Sequence, residues 1–330
     1  MSQAGENREV KSPEQYMESI YNALSRVEQE VGKAVVGKPH VIRSVLTAIL
    51  AGGHILMEDV PGVGKTTLAV AFSKVMAMDY RRMQFTPDVM PSDVVGFQVY
   101  HRETGQQEYV PGCVMCNLFL ADEINRTTSK TQSALLEVME EGTVTVDGVT
   151  RPVPEPFIVI ATQNPVGAAG TQMLPDSQLD RFMIRISIGY PTGVDEVRML
   201  KERRTSNPLD DVRPVMTARD LMVIRRQAEK VHVDDRIYTY VTELVDATRH
   251  HDMLSLGISP RGSLAIIAMA KANAMLSRRN YVIPEDVANV FAVTGAHRLV
   301  LTPLARMNHL TTTAVAAQVL SSVVPPRIFA

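Results

Sequence analysis

The sequence predicts an α/β protein: a three-layer αβα domain around a mostly parallel sheet, interrupted by two inserted β-hairpins and followed by an all-helical domain. Three observations lead there. Short apolar runs alternate with helical patterns between residues 54 and 190, the rhythm of parallel strands joined by helices. A glycine-bearing loop, Asp59-Val-Pro-Gly62-Val-Gly64, separates one apolar run from a helix that starts at Lys65. Beyond Tyr190-Pro-Thr-Gly193 the strand signals stop and helical periodicity takes over.

Taken in order, residues 1–13 are polar and read as a flexible N-terminus. From Glu14 to Val31 the apolar residues Met17, Ile20, Leu24, Val27 and Val31 recur at three- and four-residue steps, which makes an amphipathic helix. A second helix runs from Pro39 to about Leu50 and is stopped by Gly52-Gly53. His54–Met57 reads as a buried strand, and Lys65–Met76 as the helix after the loop. Further strands are expected at Arg81–Phe85, Leu118–Ala121, Phe157–Ala161 and Met183–Ile188, with a helix at about Lys130–Glu141. Val95–Tyr100 and Gln107–Val110 flank a polar turn, and Thr143–Val146 and Val149–Val153 flank Asp147-Gly148, a strong hairpin signal. The helical domain offers Asp195–Arg204, Thr217–Ala228, Asp234–His250, Pro260–Leu276, Pro284–Leu301 and a weaker Ala314–Leu320. Thr217-Ala-Arg-Asp220 and Ser259-Pro260 are capping signals. The expected units are thus 14–192 and 193–330.

Composition excludes several classes. A net charge of −2, with Lys and Arg scattered, lacks the basic stripe of a nucleic-acid binder. The small cluster Lys201–Arg204 reads as a solvated helix face. Two cysteines cannot form a disulfide framework, and Cys113-x-x-Cys116 supplies only half of a zinc site. No signal-peptide pattern opens the chain and no run of about 18 apolar residues occurs. A cytoplasmic location without direct membrane insertion is therefore expected. His250-His251 reads as a polar helix end, Asn125-Arg-Thr127 as a formal glycosylation sequon, and the 18 methionines as flexible core filling.

The chemistry concentrates at three places. In the loop, Gly62 and Gly64 let backbone N–H groups turn inward around phosphates, and the helix N-terminus adds partial positive charge. Lys65 can reach the β- and γ-phosphates and the Thr66 hydroxyl can bind Mg²⁺. The pattern G-x-x-x-x-G-K-[ST] wants glycine where Asp59 stands. Leu118-Phe-Leu-Ala-Asp122-Glu123 is an apolar strand ending in two acids. The first suits Mg²⁺, and the second can polarise an attacking water. Phe157-Ile-Val-Ile-Ala-Thr-Gln-Asn164 ends in a side chain able to contact a γ-phosphate or that water, or simply in the turn that Asn-Pro often starts.

The phrases GGHILMEDVPGVGKTTLA, QFTPDVMPSDVVG, LFLADEINRTTSKTQSALLEVMEEGTVTVDG, IATQNP and LPDSQLDRFMIRI resemble the AAA+ ATPases, and within them the MoxR family. The resemblance implies a P-loop AAA+ domain followed by a helical lid domain, binding ATP/ADP with Mg²⁺. Lys65 and Thr66 would be Walker A, and Asp59, Val60, Pro61, Gly62, Val63, Gly64, Lys65, Thr66 and Thr67 would bind the nucleotide. Walker B would be Asp122 and Glu123, with Thr66 and Asp122 holding the metal. Asn164 would be sensor 1, Arg181 the arginine finger reaching a neighbouring subunit, with Arg185 as the alternative, and Arg261 sensor 2. Val36 and Gly37 fall where relatives contact adenine, and the two hairpins match inserts that face a central pore. The resemblance further implies self-association into a ring, six subunits being the family expectation, and a client or co-protein carrying a von Willebrand factor A domain. The function it implies is ATP-driven remodelling, maturation or metal-loading of client complexes. Three alternatives share these parts: the ATPase subunit of a metal chelatase, a nucleic-acid-dependent motor, and a nucleotide-gated scaffold. The mildly acidic composition disfavours the motor, and the intact acid pair disfavours the scaffold.

Overall fold

The structure, a computed structural model, describes residues 12–164, 174–202 and 207–327. Most of the expected flexible N-terminus and the Arg203-Arg204 end of one expected helix lie outside these residues. Ser12 and Pro13 do not belong to a flexible stretch. The Ser12 hydroxyl accepts from the Gln15 N–H at 3.2 Å, and the Gln15 side chain accepts from the Ser12 N–H at 3.0 Å. This reciprocal capping box starts the first helix.

The elements follow as α1 (Pro13–Ala34), α2 (Pro39–Leu50), β1 (Ile55–Glu58), α3 (Lys65–Val75), β2 (Tyr80–Gln84), α4 (Pro91–Val95), β3 (Gly96–His101), β4 (Gln106–Pro111), β5 (Leu118–Asp122), α5 (Ser129–Glu141), β6 (Thr143–Val146), β7 (Val149–Pro152), β8 (Ile158–Gln163), α6 (Asp176–Leu179), β9 (Ile184–Ile186) and α7 (Gly193–Glu202). The helical region holds α8 (Ala218–Glu229), α9 (Asp235–Arg249), β10 (Leu254–Leu256), α10 (Pro260–Leu276), α11 (Pro284–Gly295), β11 (Val300–Leu301), α12 (Pro303–Met307) and α13 (Thr312–Ser322).

Five strands form one parallel sheet in the order β2-β5-β8-β1-β9. Its inner strands are buried on both faces, and the period of two sorts their side chains. Ile55, Met57, Leu118, Leu120, Ile158 and Ile160 face the α1–α3 side. Leu56, Phe119, Ala121, Val159 and Ala161 face the α5 side with Phe85, Leu135 and Phe182. The first of these clusters continues without a break into α8, α9, α10, α11 and α13. The helical region therefore packs on α1 and α2 instead of hanging from a linker.

Both inserted hairpins form. β3 pairs with β4 and β6 with β7, each antiparallel. At the base of the first, Gly96 and Gly112 lie against opposing backbone where a Cβ would collide, so glycine is required there. The expected helix Pro284–Leu301 is corrected: α11 stops at Gly295, a 3₁₀ turn covers Ala296–Arg298, and Val300–Leu301 pairs with Leu254–Leu256. The break turns Arg298 inward to Asp180 at 2.7 Å, a long-range contact that local periodicity does not encode.

Candidate active site

The site lies beyond the carboxyl ends of β1, β5 and β8, where ligands of open parallel sheets bind. A cleft of about 890 Å³ is lined there by Gly62–Thr67, Asp122, Glu123 and Asn164. Pro61 and Val36 also line it. The register explains the convergence: Glu58 is level with Gln163, and Ala121 with Ala161, so three strands end together.

The loop is shaped for an anion. Gly62 and Gly64 hold φ of 87° and 98°, values that suit glycine alone among common residues. No atom lies within 4 Å of where a Cβ would stand at either glycine, which leaves the backbone open to a phosphate. Gly64 is the N-cap of α3, so the first N–H groups of that helix lack intrahelical partners. Lys65 Nζ donates to the Asp59 and Val60 carbonyls at 2.8 and 3.1 Å. Burial depresses its pKa, while Asp59, Asp122 and Glu123 pull it back up.

Asp59 does something other than touch the cleft. Its carboxylate accepts from Ile188 N–H at 2.5 Å, Gly189 N–H at 2.8 Å and the Ser187 hydroxyl at 3.0 Å, and from Val60 N–H at 3.1 Å. It is buried and staples the segment after β9 to the loop. Val60 likewise lies outside the lining. Gly37 also departs from the expectation: φ is 72°, and the space where its side chain would be is filled by Asp195. That turn leaves Val36 in the cleft and Gly37 against the start of α7.

The two acids sit in different electrostatic settings. Asp122 accepts from the Thr162 hydroxyl at 2.6 Å and from Arg82 at 2.7 Å. The Thr162 hydroxyl in turn accepts from the Glu123 N–H at 2.8 Å. Glu123 has φ 56° and ψ 46°, a left-handed conformation uncommon for this residue type. It swings the carboxylate away from the strand axis. Gln84 and Arg126 both reach Glu123 Oε2 at 2.8 Å, and Asn164 Nδ2 reaches Oε1 at 3.0 Å. Burial raises the Glu123 carboxyl, but these three donors outweigh it and hold it below the usual carboxylate range. Asn164 is fixed by buried Asn125, which exchanges two 3.3 Å hydrogen bonds with its backbone. The formal sequon residue is thus a buried support.

Sequence reasoning missed Arg82, Gln84, Arg126, Asn125 and Thr162. Gln84 and Arg82 reach the acids only because β2 is the neighbour of β5, a pairing absent from local pattern. Arg126, three residues after Glu123, was available from spacing. Tyr190, Met199 and Leu200 line the same cleft as Val35 and Val36.

Arg181 and Arg261 do not line this cleft. Arg181 donates to the Leu136 carbonyl at 2.6 Å and pairs with Glu140 at 3.1 Å. Arg261 pairs with the same Glu140 at 3.1 Å. Arg185 pairs with Glu58 at 3.4 Å and reaches Thr312 at 3.4 Å.

Thr66 and Asp122 offer the hard oxygen donors that Mg²⁺ takes in company with phosphates and water, so the residues present fit that ion. Among the described residues no group of three or more His, Cys, Asp or Glu side chains could hold a metal ion by itself. Cys113 and Cys116 are free, and burial pushes the Cys116 thiol up to about 12, which leaves it unreactive. No helix among the described residues is long and apolar enough to cross a membrane.

Comparisons with known proteins agree with this geometry. Residues 54–184 match the model of the ATPase family associated with various cellular activities (AAA), and residues 246–322 match the AAA lid domain. The chain is 44% identical over 311 residues to YeaC of Bacillus subtilis, covering 94% of this chain and 97% of that protein. It is 37% identical over 316 residues to the chaperone MoxR1 of Mycobacterium tuberculosis, covering 93% and 83%. A crystal structure from Cytophaga hutchinsonii superposes with a TM-score of 0.89 at 37% identity, covering 97% of this chain and 99% of that one.

Proposed function

We propose that this chain, which belongs to the MoxR family of AAA+ ATPases, hydrolyses ATP to ADP and phosphate and uses the cycle to remodel client protein complexes in the cytoplasm. The observation that carries the reading is the meeting of the Gly62–Thr67 loop with Asp122, Glu123 and Asn164 in one cleft. ATP is the substrate that this set fits. The α3 N-terminus and Lys65 receive its phosphates, which offer Lys65 stronger acceptors than two loop carbonyls. Val36, Met199 and Leu200 give the base an apolar seat. Mg²⁺ held by Thr66 and Asp122 would neutralise charge on the phosphates. Glu123 takes the proton of the attacking water, and Asn164 orients that carboxylate.

Arg181 and Arg261 serve a neighbouring subunit. Both stand outside the chain's own cleft and side by side on Glu140, so both would project together from one face of a ring of six subunits. The likeness to a chaperone supports remodelling as the output. A client bearing a von Willebrand factor A domain is the partner class we propose. Within the first hairpin, Phe97 and Tyr100 are exposed, apolar contacts that could grip a polypeptide.

The test is a set of three variants. Lys65→Ala abolishes nucleotide binding in a fluorescent-nucleotide titration. Glu123→Gln binds ATP but turns over at least about 100-fold more slowly. Arg181→Ala binds ATP but does not hydrolyse it, and mixing it with Lys65→Ala restores activity, since each chain supplies what the other lacks. Normal ATP affinity in Lys65→Ala would refute the site.

A further inference from the structure

Glu140 stands near the C-terminal end of α5, two residues before the turn at Gly142 that leads into the β6–β7 hairpin. It lies outside the nucleotide cleft and holds none of the roles assigned above. Its Oε1 accepts from Arg261 Nη1 at 3.1 Å and its Oε2 faces Arg181 Nη2 at 3.1 Å. One carboxylate thus spends one oxygen on each arginine. A guanidinium has five N–H donors, so each keeps donors for a further acceptor. The group is open to solvent: side-chain exposure is 29% for Arg181, 48% for Arg261 and 36% for Glu140.

A second set of contacts ties the same two segments together. Ser259, the N-cap of α10, donates to Asp180 Oδ2 at 3.1 Å. Arg298 is buried, and its Nε donates to Asp180 Oδ1 at 2.7 Å while its Nη2 donates to the Phe182 carbonyl at 2.8 Å. The residues on both sides of Arg181 are therefore fixed to the helical region, and the residue two before Arg261 is fixed to the residue before Arg181. The backbones of the two arginines ride on one block. Their long side chains reach α5 instead: Arg181 Nη1 donates to the Leu136 carbonyl at 2.6 Å, and Glu140 is the group that meets both guanidiniums. Two guanidiniums this close repel, and an anion between them offsets that repulsion.

Resting on the reading that Arg181 and Arg261 act on a neighbouring subunit, we propose that Glu140 is the positioning residue that holds both guanidiniums side by side, so that they meet a single anionic group, the terminal phosphate of the adjacent chain's ATP. Glu140 touches no nucleotide itself. It acts through the two arginines, and only from the chain that donates them.

That directionality gives the test. In mixed rings, the Lys65→Ala chain donates arginines and the Arg181→Ala chain holds the working cleft. Glu140→Ala is placed in one chain or the other, and ATPase activity, ring assembly by sedimentation and melting temperature are read on the same samples. Placed in the Lys65→Ala chain, it lowers mixed-ring activity at least about tenfold. Placed in the Arg181→Ala chain, it leaves activity within about twofold, with assembly and melting unchanged in both arrangements. Glu140→Gln, which keeps the side chain's size, gives the same pattern with a smaller loss. Equal loss from both positions, loss of assembly, or no loss from either overturns the proposal. Failure of the unmodified Lys65→Ala and Arg181→Ala chains to complement each other refutes the neighbouring-subunit reading itself, and the role of Glu140 with it.

Discussion

Asp59 shows how one side chain can replace a glycine by changing what the position does. Four donors converge on its carboxylate, so it fixes where the chain after β9 passes the phosphate loop. Tyr190 and Met199, which follow that passage, line the same cleft as Val36. In the proposed reading these residues, with Val36, receive the base. Met199→Glu puts a carboxylate there, next to a polyanionic ligand. Its expected effect is about tenfold weaker ATP binding, on the order of 1.4 kcal/mol, with thermal stability unchanged because Met199 is not part of the core. Isothermal titration beside a melting curve checks both halves. Glu123 is the other residue whose setting decides its chemistry. Three donors hold it anionic, which keeps it ready to take a proton and also limits how strong a base it is while all three remain.

At the scale of elements, capping does double duty. Thr217 and Ser259 each cap a helix, accepting from Asp220 N–H and Gly262 N–H at 3.2 Å. Loss of such a cap costs about 1 kcal/mol. Thr217→Ala should lower the unfolding free energy read from a urea titration by that amount and leave ATPase activity alone. Ser259→Ala removes a cap and also the bond to Asp180. It should match Thr217→Ala in stability loss but also reduce ring ATPase activity; equal activities in the two variants would show that the Ser259–Asp180 link has no functional weight. The hairpins are also joined to each other. Arg151 of β7 lies over the Tyr109 ring of β4 at 4.1 Å. The one basic residue of the second hairpin is thus engaged in packing, which removes a ready phosphate contact and further disfavours the nucleic-acid motor.

Over the whole molecule, the apolar core crosses from the sheet into the helical region, and two histidines, His54 and His297, are buried. His54 Nδ1 accepts from Val159 N–H at 3.0 Å, and its Nε2 donates to the Met139 carbonyl at 3.0 Å. Burial depresses its pKa to about 4. His297 lies against the Phe182 carbonyl, and burial next to Arg298 lowers its pKa well below normal. Both are neutral when folded. Between about pH 6.5 and about pH 4 the unfolded chain binds more protons, so stability falls as pH falls through that window. His54 alone accounts for about 3 kcal/mol at the bottom of it. The urea midpoint at about pH 5 should lie well below that at about pH 7, and His54→Gln should flatten the dependence. An equally steep profile in the variant would remove His54 from the account.

The sequence by itself determined the parts whose signals are local. Period-two apolar runs, helical spacing, caps and Asp147-Gly148 are set by neighbours a few residues away, so the parallel strands, both hairpins and most helices of the described residues were legible with ends shifted by a few positions. The convergence of the Gly62–Thr67 loop with Asp122, Glu123 and Asn164 was legible for the same reason, since each lies where a strand ends. Tertiary structure decided everything that depends on which strands are neighbours and which segments return. It placed Gln84 and Arg82 on the acids, turned Asp59 and Gly37 away from the cleft, ended α11 early to aim Arg298 at Asp180, and brought Arg181 and Arg261 to one carboxylate. Those contacts join residues far apart in the chain. Their free energy exists only once the sheet order and the packing of the helical region have brought them within hydrogen-bond reach.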